Sequence, residues 1–202
     1  MNDSRPTKTA DLITMARSGP VRARDLDAAG IPRATLKRLC DRGVLERVDR
    51  GLYRLVEAPV TEQTTLAEVA KRVPHGIICL LSALQVHGMT TESPHAVWVL
   101  IDRRARTPRL SYPQLEVVRA SGPAREHGIE TRVFDGVAVQ ITTPAKTVAD
   151  CFRFRRHVGL EVALSALRDY LMKRKGTVDE IVMAAEADRI SGLIRPYLEA
   201  LV

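Results

Sequence analysis

Cysteine is scarce in this sequence, and its spacing argues against two kinds of site. The three cysteines, Cys40, Cys79 and Cys151, are odd in number and form no CxxC pair. Neither a disulfide framework nor a zinc site is therefore expected. The five histidines show no HExxH or clustered spacing, so we expect structural or surface histidines rather than metal ligands. The sequence predicts no metal and no cofactor.

Long apolar segments are also absent. No apolar run approaches the roughly 20 residues that a membrane-spanning helix needs. The N-terminal stretch "MNDSRPTKTADL" lacks the apolar region of a signal peptide. We therefore expect a soluble, cytoplasmic protein without a membrane partner. Its 202 residues, 45% of them hydrophobic, suffice for one large domain or two small ones.

Motifs that bind nucleotides or carry out catalysis are missing. There is no GxxxxGK[ST] phosphate loop, no GxGxxG after a predicted strand, and no Gly-Ser followed by paired acids as in nucleotidyltransferases. Glu68 and Lys71 lie three residues apart on a predicted helix, which is more typical of a surface ion pair than of a nuclease site. We predict no catalytic residue, and we do not expect an enzyme.

Positive charge is concentrated at the N-terminus. Residues 1–56 hold 12 basic and 7 acidic side chains, a net charge of +5 out of a total of +7. Two shorter basic runs, "FRFRRHVG" and "MKRKG", lie near predicted helix C-termini, where the helix dipole favours cations. RNA or a second DNA contact is the alternative for these runs. The N-terminal excess is the pattern typical of a nucleic-acid-binding domain.

Three helices are predicted before residue 44. Apolar residues at helical spacing place the first two over Thr7–Arg17 and Arg22–Ala29. The third lies in "IPRATLKRLCDRG", where Leu36, Leu39 and Cys40 form an apolar stripe at i, i+3 and i+4. The opposite face of this helix is basic and polar. It is either a DNA-reading face or a solvated face of a structural helix.

A hairpin is predicted directly after the third helix. In "GVLERVDRGLYRLV", from Gly43 to Val56, two apolar segments flank an Asp49-Arg50-Gly51 turn. Imperfect alternation indicates a bulge or short strands, and Gly51 is expected to supply a positive φ. Three helices and a hairpin are the element order of a winged helix-turn-helix, which places one helix in the major groove. The candidate DNA-binding residues are Arg33, Thr35, Lys37, Arg38, Arg42, Arg47, Arg50 and Arg54.

The rest of the chain is predicted to be a mixed α/β domain ending in a helical segment, so the fold class is α+β. "VEAPV" is interpreted as a linker, which divides the chain into a winged helix-turn-helix at 1–56 and a second domain at 60–202. Within the second domain, residues 60–142 are predicted to be mixed α/β and residues 143–202 helical.

Several elements of the second domain can be placed from local signals. Helices are predicted over Thr61–Arg72 and in "IICLLSALQVHG", and strands in "AVWVLID" and "LEVVRA". The Asp135-Gly136 pair between alternating segments predicts a hairpin. Thr143 before a proline and Thr177 with Glu180 predict two helix N-termini.

The block "GIPRATLKRLCDRGVLERVDRGLYRL" resembles the N-terminal winged helix of AbiEi-type antitoxins, the transcription-regulating halves of type IV toxin-antitoxin pairs. "CLLSALQVHGMT", "VWVLI" and "TTPAKTVADCFRFRRHVGLEVALSAL" extend the resemblance over most of the chain. It implies a repressor that binds double-stranded DNA at its own operator or promoter, and that counteracts a nucleotidyltransferase-type toxin. The matching positions are Gly30-Ile31, Arg33, Leu36, Arg42-Gly43, Leu45, Arg47-Val48, Arg50-Gly51 and Tyr53.

Other functions stay open at this point. An orphan winged-helix regulator would bind DNA without a toxin partner. A protein-interaction module would instead bind an acidic partner through the basic winged helix, and a nucleic-acid enzyme ranks third. A neighbouring reading frame with a nucleotidyltransferase signature would favour the antitoxin role.

Overall fold

The chain divides into two units, each with its own apolar core. The computed structural model describes residues 8–58, 61–110 and 112–201. One unit comprises Met1–Arg72 with Val133–Ala138, and the other comprises Val73–Arg132 with Val139–Val202. The predicted helix start at Thr7, and Pro59-Val60 of the predicted linker, lie outside the described residues.

The first unit is a winged helix-turn-helix, as predicted. Its three strands are antiparallel, in the order β1-β3-β2. Apolar side chains from the first three helices and from the sheet form its core, among them Leu12, Leu26, Leu36 and Leu45. The elements in chain order are α1 (Lys8–Arg17), β1 (Val21–Arg22), α2 (Ala23–Ala28), α3 (Arg33–Asp41), β2 (Leu45–Asp49), β3 (Leu52–Leu55) and α4 (Glu62–Arg72).

The hairpin of β2 and β3 has the predicted irregularity. The register shifts between Arg47 and Asp49, so the strand carries a bulge where the alternation of apolar residues breaks. Gly51 adopts φ +74° at the turn, as expected. The two-residue strand β1 was not predicted, because only its pairing with Leu52 and Tyr53 defines it.

A five-stranded mixed sheet has the order β6-β5-β4-β8-β7 and belongs to the second unit, except for Val133–Ala138 where β7 turns into β8. β5 pairs in parallel with β6, whereas β4 is antiparallel to β5 and parallel to β8. The next elements are β4 (Ile77–Ile78), α5 (Leu80–Val86), β5 (Val97–Asp102), β6 (Leu115–Ala120), α6 (Pro123–Glu126), β7 (Ile129–Phe134) and β8 (Val137–Thr142).

The prediction of one helix over "IICLLSALQVHG" is wrong at its start. Ile77 and Ile78 form strand β4, and α5 begins only at Leu80. The two isoleucines pair with Leu100 and Val99 of β5. Periodicity could not separate a buried strand from a buried helix in such a short apolar run.

The chain ends in helices that share a core with the sheet, which confirms the predicted α+β class. Both predicted helix N-termini are confirmed, since the Thr143 hydroxyl accepts from the Lys146 N–H and Thr177 forms a capping box with Glu180. No helix among the described residues is long and apolar enough to cross a membrane. The last elements are α7 (Pro144–Arg153), α8 (Arg155–Val158), α9 (Leu160–Met172), α10 (Val178–Ala187) and α11 (Ser191–Leu201).

A buried charge cluster joins α7 to the end of α10. Lys146 is fully buried and donates to Asp150 and, over 2.9 Å, to Asp188. Arg153 also donates to Asp188, over 3.1 Å. Burial lowers the pKa of Lys146, but the two aspartates raise it more, so the lysine stays charged. Burial also raises the pKa of Asp150, to about 7, with Asp188 adding to the effect and Lys146 opposing it.

Candidate nucleic-acid interface

The helix-turn-helix is built from α2, a tight turn and α3. Gly30 adopts φ +64° in the turn, and the Ile31 N–H donates to the Leu26 carbonyl over 2.9 Å. Burial of Ile31 anchors the turn in the core. Pro32 precedes the first residue of α3 with φ −60°, which suits a helix start, since proline has no N–H to leave unpaired.

The face of α3 opposite the core carries most of the predicted residues. Leu36 and Leu39 are buried in the core of this unit. Because side chains about half a turn away point in the opposite direction, the basic residues lie on the solvent side. The exposed predicted residues are Arg33, Lys37 and Arg38 on this face, and Arg42 directly after the last residue of the helix.

Thr35 does not belong to this exposed face, which corrects the prediction for that residue. It is only 7% exposed. The reason is its position four residues before Leu39, which places both side chains on the same side of the helix. Its N–H donates to the Pro32 carbonyl over 2.9 Å and so closes the first helical turn.

The exposed cations of α3 differ in their partners. Arg33 forms an ion pair with Asp27, and this hydrogen bond raises the pKa of Arg33 and lowers that of Asp27. Arg38 donates to the Thr9 hydroxyl over 2.6 Å. Within the described part of the chain, Lys37, Arg38 and Arg42 have no acidic side chain at ion-pair distance. These three residues keep their charge available for an anion.

The hairpin presents two further exposed arginines. Arg47 donates from Nε to the Asp49 carbonyl over 3.2 Å, and Arg50 occupies the turn beside Gly51. The Arg50 N–H donates to the Asp49 carboxylate over 2.6 Å, which fixes the turn backbone without using the guanidinium. Arg50 is therefore at the tip of the wing with its charged group unpaired among the described residues.

Arg54 is turned inward, which corrects its assignment to the DNA-facing set. Its side chain is 19% exposed and forms ion pairs with Glu46 of β2 and Glu68 of α4. Burial lowers the pKa of Arg54, but the two glutamates raise it more. Arg54 therefore connects the wing to α4. Sequence reasoning missed this role because Glu68 lies 14 residues away, in a region assigned to the other domain.

Helix α4 belongs to the same unit as the wing. Glu68, only 1% exposed, accepts from Arg54 over 3.1 Å and from Arg72 over 3.4 Å, and Arg72 also reaches Asp49 at 3.4 Å. Lys71 pairs with Asp25 at 3.2 Å rather than with Glu68, so the predicted surface pair is not formed. Burial raises the pKa of Glu68, although both arginines oppose this.

The division into domains at 1–56 and 60–202 remains a prediction, because the compact units do not test it directly. They divide after Arg72, and the ion pairs of Glu68 and Arg72 give a physical reason for grouping α4 with the wing. No set of three or more His, Cys, Asp or Glu residues that could hold a metal ion is found in the described chain.

Comparisons with known proteins agree with this geometry. Residues 11–56 match a family described as "Transcriptional regulator, AbiEi antitoxin". No curated protein matches the chain. Among solved structures, the crystal structure of the RV2827C protein from Mycobacterium tuberculosis is similar, with a TM-score of 0.52 and 16% identity, over 92% of this chain and 83% of that chain. At this identity, the likeness shows a shared fold alone.

The matched segment runs from α1 to the end of the hairpin and contains the helix-turn-helix. The resemblance proposed from the sequence is thus confirmed for this part and stays a prediction for the residues that follow. The segment at residues 11–56, which contains the winged helix, is therefore similar to the AbiEi antitoxin family of transcriptional regulators.

Proposed function

We propose that this protein is a sequence-specific regulator that binds double-stranded DNA through α3 and its wing. The observation that carries the proposal is the exposed face of α3. Lys37, Arg38 and Arg42 lie opposite a buried apolar stripe and have no acidic partner among the described residues. The major groove of DNA admits one α-helix, and arginine and lysine can bind guanine edges or phosphates there.

The wing is proposed to contact the DNA backbone. Arg50 lies at a turn, where a single guanidinium can reach a phosphate or enter the minor groove. Arg47 lies on the neighbouring strand and is exposed. Contacts of this kind fix the orientation of the protein on DNA but carry no sequence information. We therefore assign specificity to α3 and sequence-independent affinity to the wing.

We further propose that the protein represses its own operon and acts as an antitoxin toward a nucleotidyltransferase-type toxin. The support is the family match of residues 11–56, whose description names both regulation and antitoxin function. A stable complex with the toxin is not part of the proposal, because repression and neutralisation can be separate activities of one chain. Neutralisation is assigned to the second unit.

Gel-shift titration on the promoter of the protein's own gene tests the proposed binding to double-stranded DNA. We expect binding whose affinity falls as salt rises, with a slope of about −0.9 in log K against log salt for each phosphate neutralised. Random duplex DNA of equal length is the control and should bind more weakly. If the protein does not bind the promoter, or if its affinity does not change with salt concentration, the proposed DNA binding is refuted.

Coexpression with the neighbouring gene tests the proposed antitoxin function. The neighbouring reading frame is expressed from an inducible promoter in the presence of the full chain, and growth is measured. We expect the full chain to restore growth, and a variant with alanine at Lys37, Arg38 and Arg42 to restore it as well when expressed from an unrelated promoter. If the full chain fails to restore growth against a toxic neighbour, the proposed antitoxin function is refuted. The proposal of a DNA-binding regulator is not affected by that result.

A further inference from the structure

An arginine-rich loop in the second unit is not used by the proposed function. We call residues 103–110, which follow β5, the arginine loop. Their sequence "RRARTPRL" contains four arginines and no acidic residue. Arg103, Arg104, Arg106 and Arg109 are all exposed, and none of their guanidinium groups has a hydrogen-bond or ion-pair partner among the described residues.

The backbone of the arginine loop is held in place by a fifth arginine. Arg119 of β6 donates from Nη1 to the carbonyls of Asp102, Arg103 and Ala105 over 2.8 to 3.1 Å. Its Nη2 donates to the Thr107 hydroxyl over 2.8 Å. One guanidinium group thus donates hydrogen bonds to backbone carbonyls that the turn itself does not pair. The loop is fixed at its base, while its own side chains extend into solvent.

Such an arrangement of charge needs an explanation. Like charges on neighbouring side chains repel one another, and where no acidic side chain forms an ion pair with them this repulsion weakens the folded state. Asp102 precedes the loop, and its carboxylate accepts from the Arg104 N–H over 2.8 Å and from the Ser121 hydroxyl over 3.2 Å. The hydrogen bond from the Arg104 N–H and, less strongly, the charge of Arg104 lower the pKa of Asp102, so this carboxylate balances part of the charge at one end of the loop. All four cations are arginine, whose planar fork matches phosphate oxygens. A bound polyanion would relieve the repulsion.

Two further observations identify the kind of polyanion. Tyr112 follows the loop and is 62% exposed. It lies three residues after Arg109, within roughly 11 Å of extended chain. An open cleft of about 700 Å³ is lined, among the described residues, by Arg106, Thr107, Pro108 and Arg109. Exposed aromatic rings beside basic residues are the elements with which proteins bind unpaired bases and their backbone.

We propose that the arginine loop and Tyr112 bind single-stranded nucleic acid, with the guanidinium groups on the phosphodiester backbone and the tyrosine ring stacked on a base. Duplex DNA fits less well, because its bases are stacked inside and leave no face for the ring. An acidic protein segment would pair with the arginines but would make no use of the aromatic face. The site does not depend on duplex binding by α3.

The test measures binding of the full-length protein to fluorescein-labelled twelve-nucleotide oligouridine and oligothymidine, neither of which forms duplexes. We expect alanine at Arg104, Arg106 and Arg109 together to lower affinity at least tenfold, and to reduce the salt slope by about 2 at roughly 0.7 per lost contact. Tyr112→Ala should lower affinity roughly fivefold or more, through lost stacking. Tyr112→Phe should bind like the unmodified protein. The ratio of the two affinities shows whether the site prefers RNA or DNA.

Matched variants separate this site from general basicity and from the winged helix. Alanine at Arg156, Arg168 and Arg195 removes the same charge from exposed positions of the same unit, and alanine at Lys37, Arg38 and Arg42 removes it from α3. The variant at Arg156, Arg168 and Arg195 should bind the oligonucleotides nearly as well as the unmodified protein, and the α3 variant should lose clearly less affinity than the arginine-loop variant. Equal losses in all three triple variants would overturn the proposal. So would binding of polyglutamate as tight as that of oligouridine, or Tyr112→Ala without effect.

The result is independent of the duplex assay. If promoter DNA is not bound but the oligonucleotides are, the proposed function falls and the arginine-loop site stands. If promoter binding is lost only in the α3 variant and oligonucleotide binding is absent, the arginine-loop site falls alone.

Discussion

Replacing Lys146 by methionine is expected to destabilise the second unit by roughly 3–5 kcal/mol, the usual effect of breaking a buried ion pair from one side. Methionine has a similar volume, so the loss comes from charge rather than from a cavity. Asp150 and Asp188 would remain buried beside each other, and Arg153 would be the one cation paired with them in the described part of the chain. Urea unfolding followed by the fluorescence of Trp98, the single tryptophan, reports on the core of this unit.

Lys175→Met serves as the control because it removes an exposed lysine from the same unit. It should change the free energy of unfolding by less than about 0.5 kcal/mol, as surface substitutions usually do. A cost below about 1 kcal/mol for Lys146→Met would contradict a cluster that depends on its cation.

Asp150→Asn tests how the contribution of the same cluster to the free energy of unfolding depends on pH. A carboxyl whose pKa is higher in the folded than in the unfolded state stabilises the fold most below its unfolded pKa of about 3.9. This contribution is lost as pH rises through the folded value of about 7. The stability advantage of the unmodified protein over Asp150→Asn should therefore be largest near pH 4 and should fall until about pH 7. An advantage that grows over this range would contradict the raised pKa.

Replacing Lys37, Arg38 and Arg42 together by alanine is expected to weaken binding to promoter DNA by roughly a thousandfold or more. Each base or phosphate contact of this kind contributes about 1 to 3 kcal/mol, and the salt slope should fall by up to about 2.7. Alanine favours helix and the buried leucines of α3 are unchanged, so α3 should still form. Gel shift on promoter and random duplexes measures both effects.

The control for this variant is alanine at Arg156, Arg168 and Arg195, which lowers net charge equally but leaves the winged helix intact. It should bind promoter DNA within a few-fold of the unmodified protein. If both variants lose the same affinity, net charge rather than α3 governs binding. In that case, the exposed face of α3 is not the reading surface.

Patterns within short stretches of the sequence were sufficient to predict the winged helix. The third helix follows from the spacing of Leu36 and Leu39, and the turn follows from Gly51, because each depends on residues close in sequence. The bulge at Arg47 was visible as broken alternation. These features need no partner from a distant part of the chain, so a periodic pattern is sufficient to predict them.

Distant partners explain what the sequence did not reveal. Strands β1 and β4 have two residues each and exist through pairing with remote strands. Arg54 was assigned to DNA because its charge was visible, whereas its pairing with Glu68 was not. Lys146 and Asp150 have the spacing of an ordinary surface pair on a helix, and only the three-dimensional fold buries them. The charge of a residue can be predicted from sequence, but its burial and partners depend on tertiary contacts.

The connection between the wing and α4 affects how far this module can be transferred between proteins. The family match ends at residue 56, yet Arg54 and Asp49 both depend on side chains of α4. A fragment cut at the end of the match would leave Arg54 without Glu68, and a graft onto another protein would lose the same support. The segment that must be inherited together is therefore longer than its sequence signature and extends at least to Arg72.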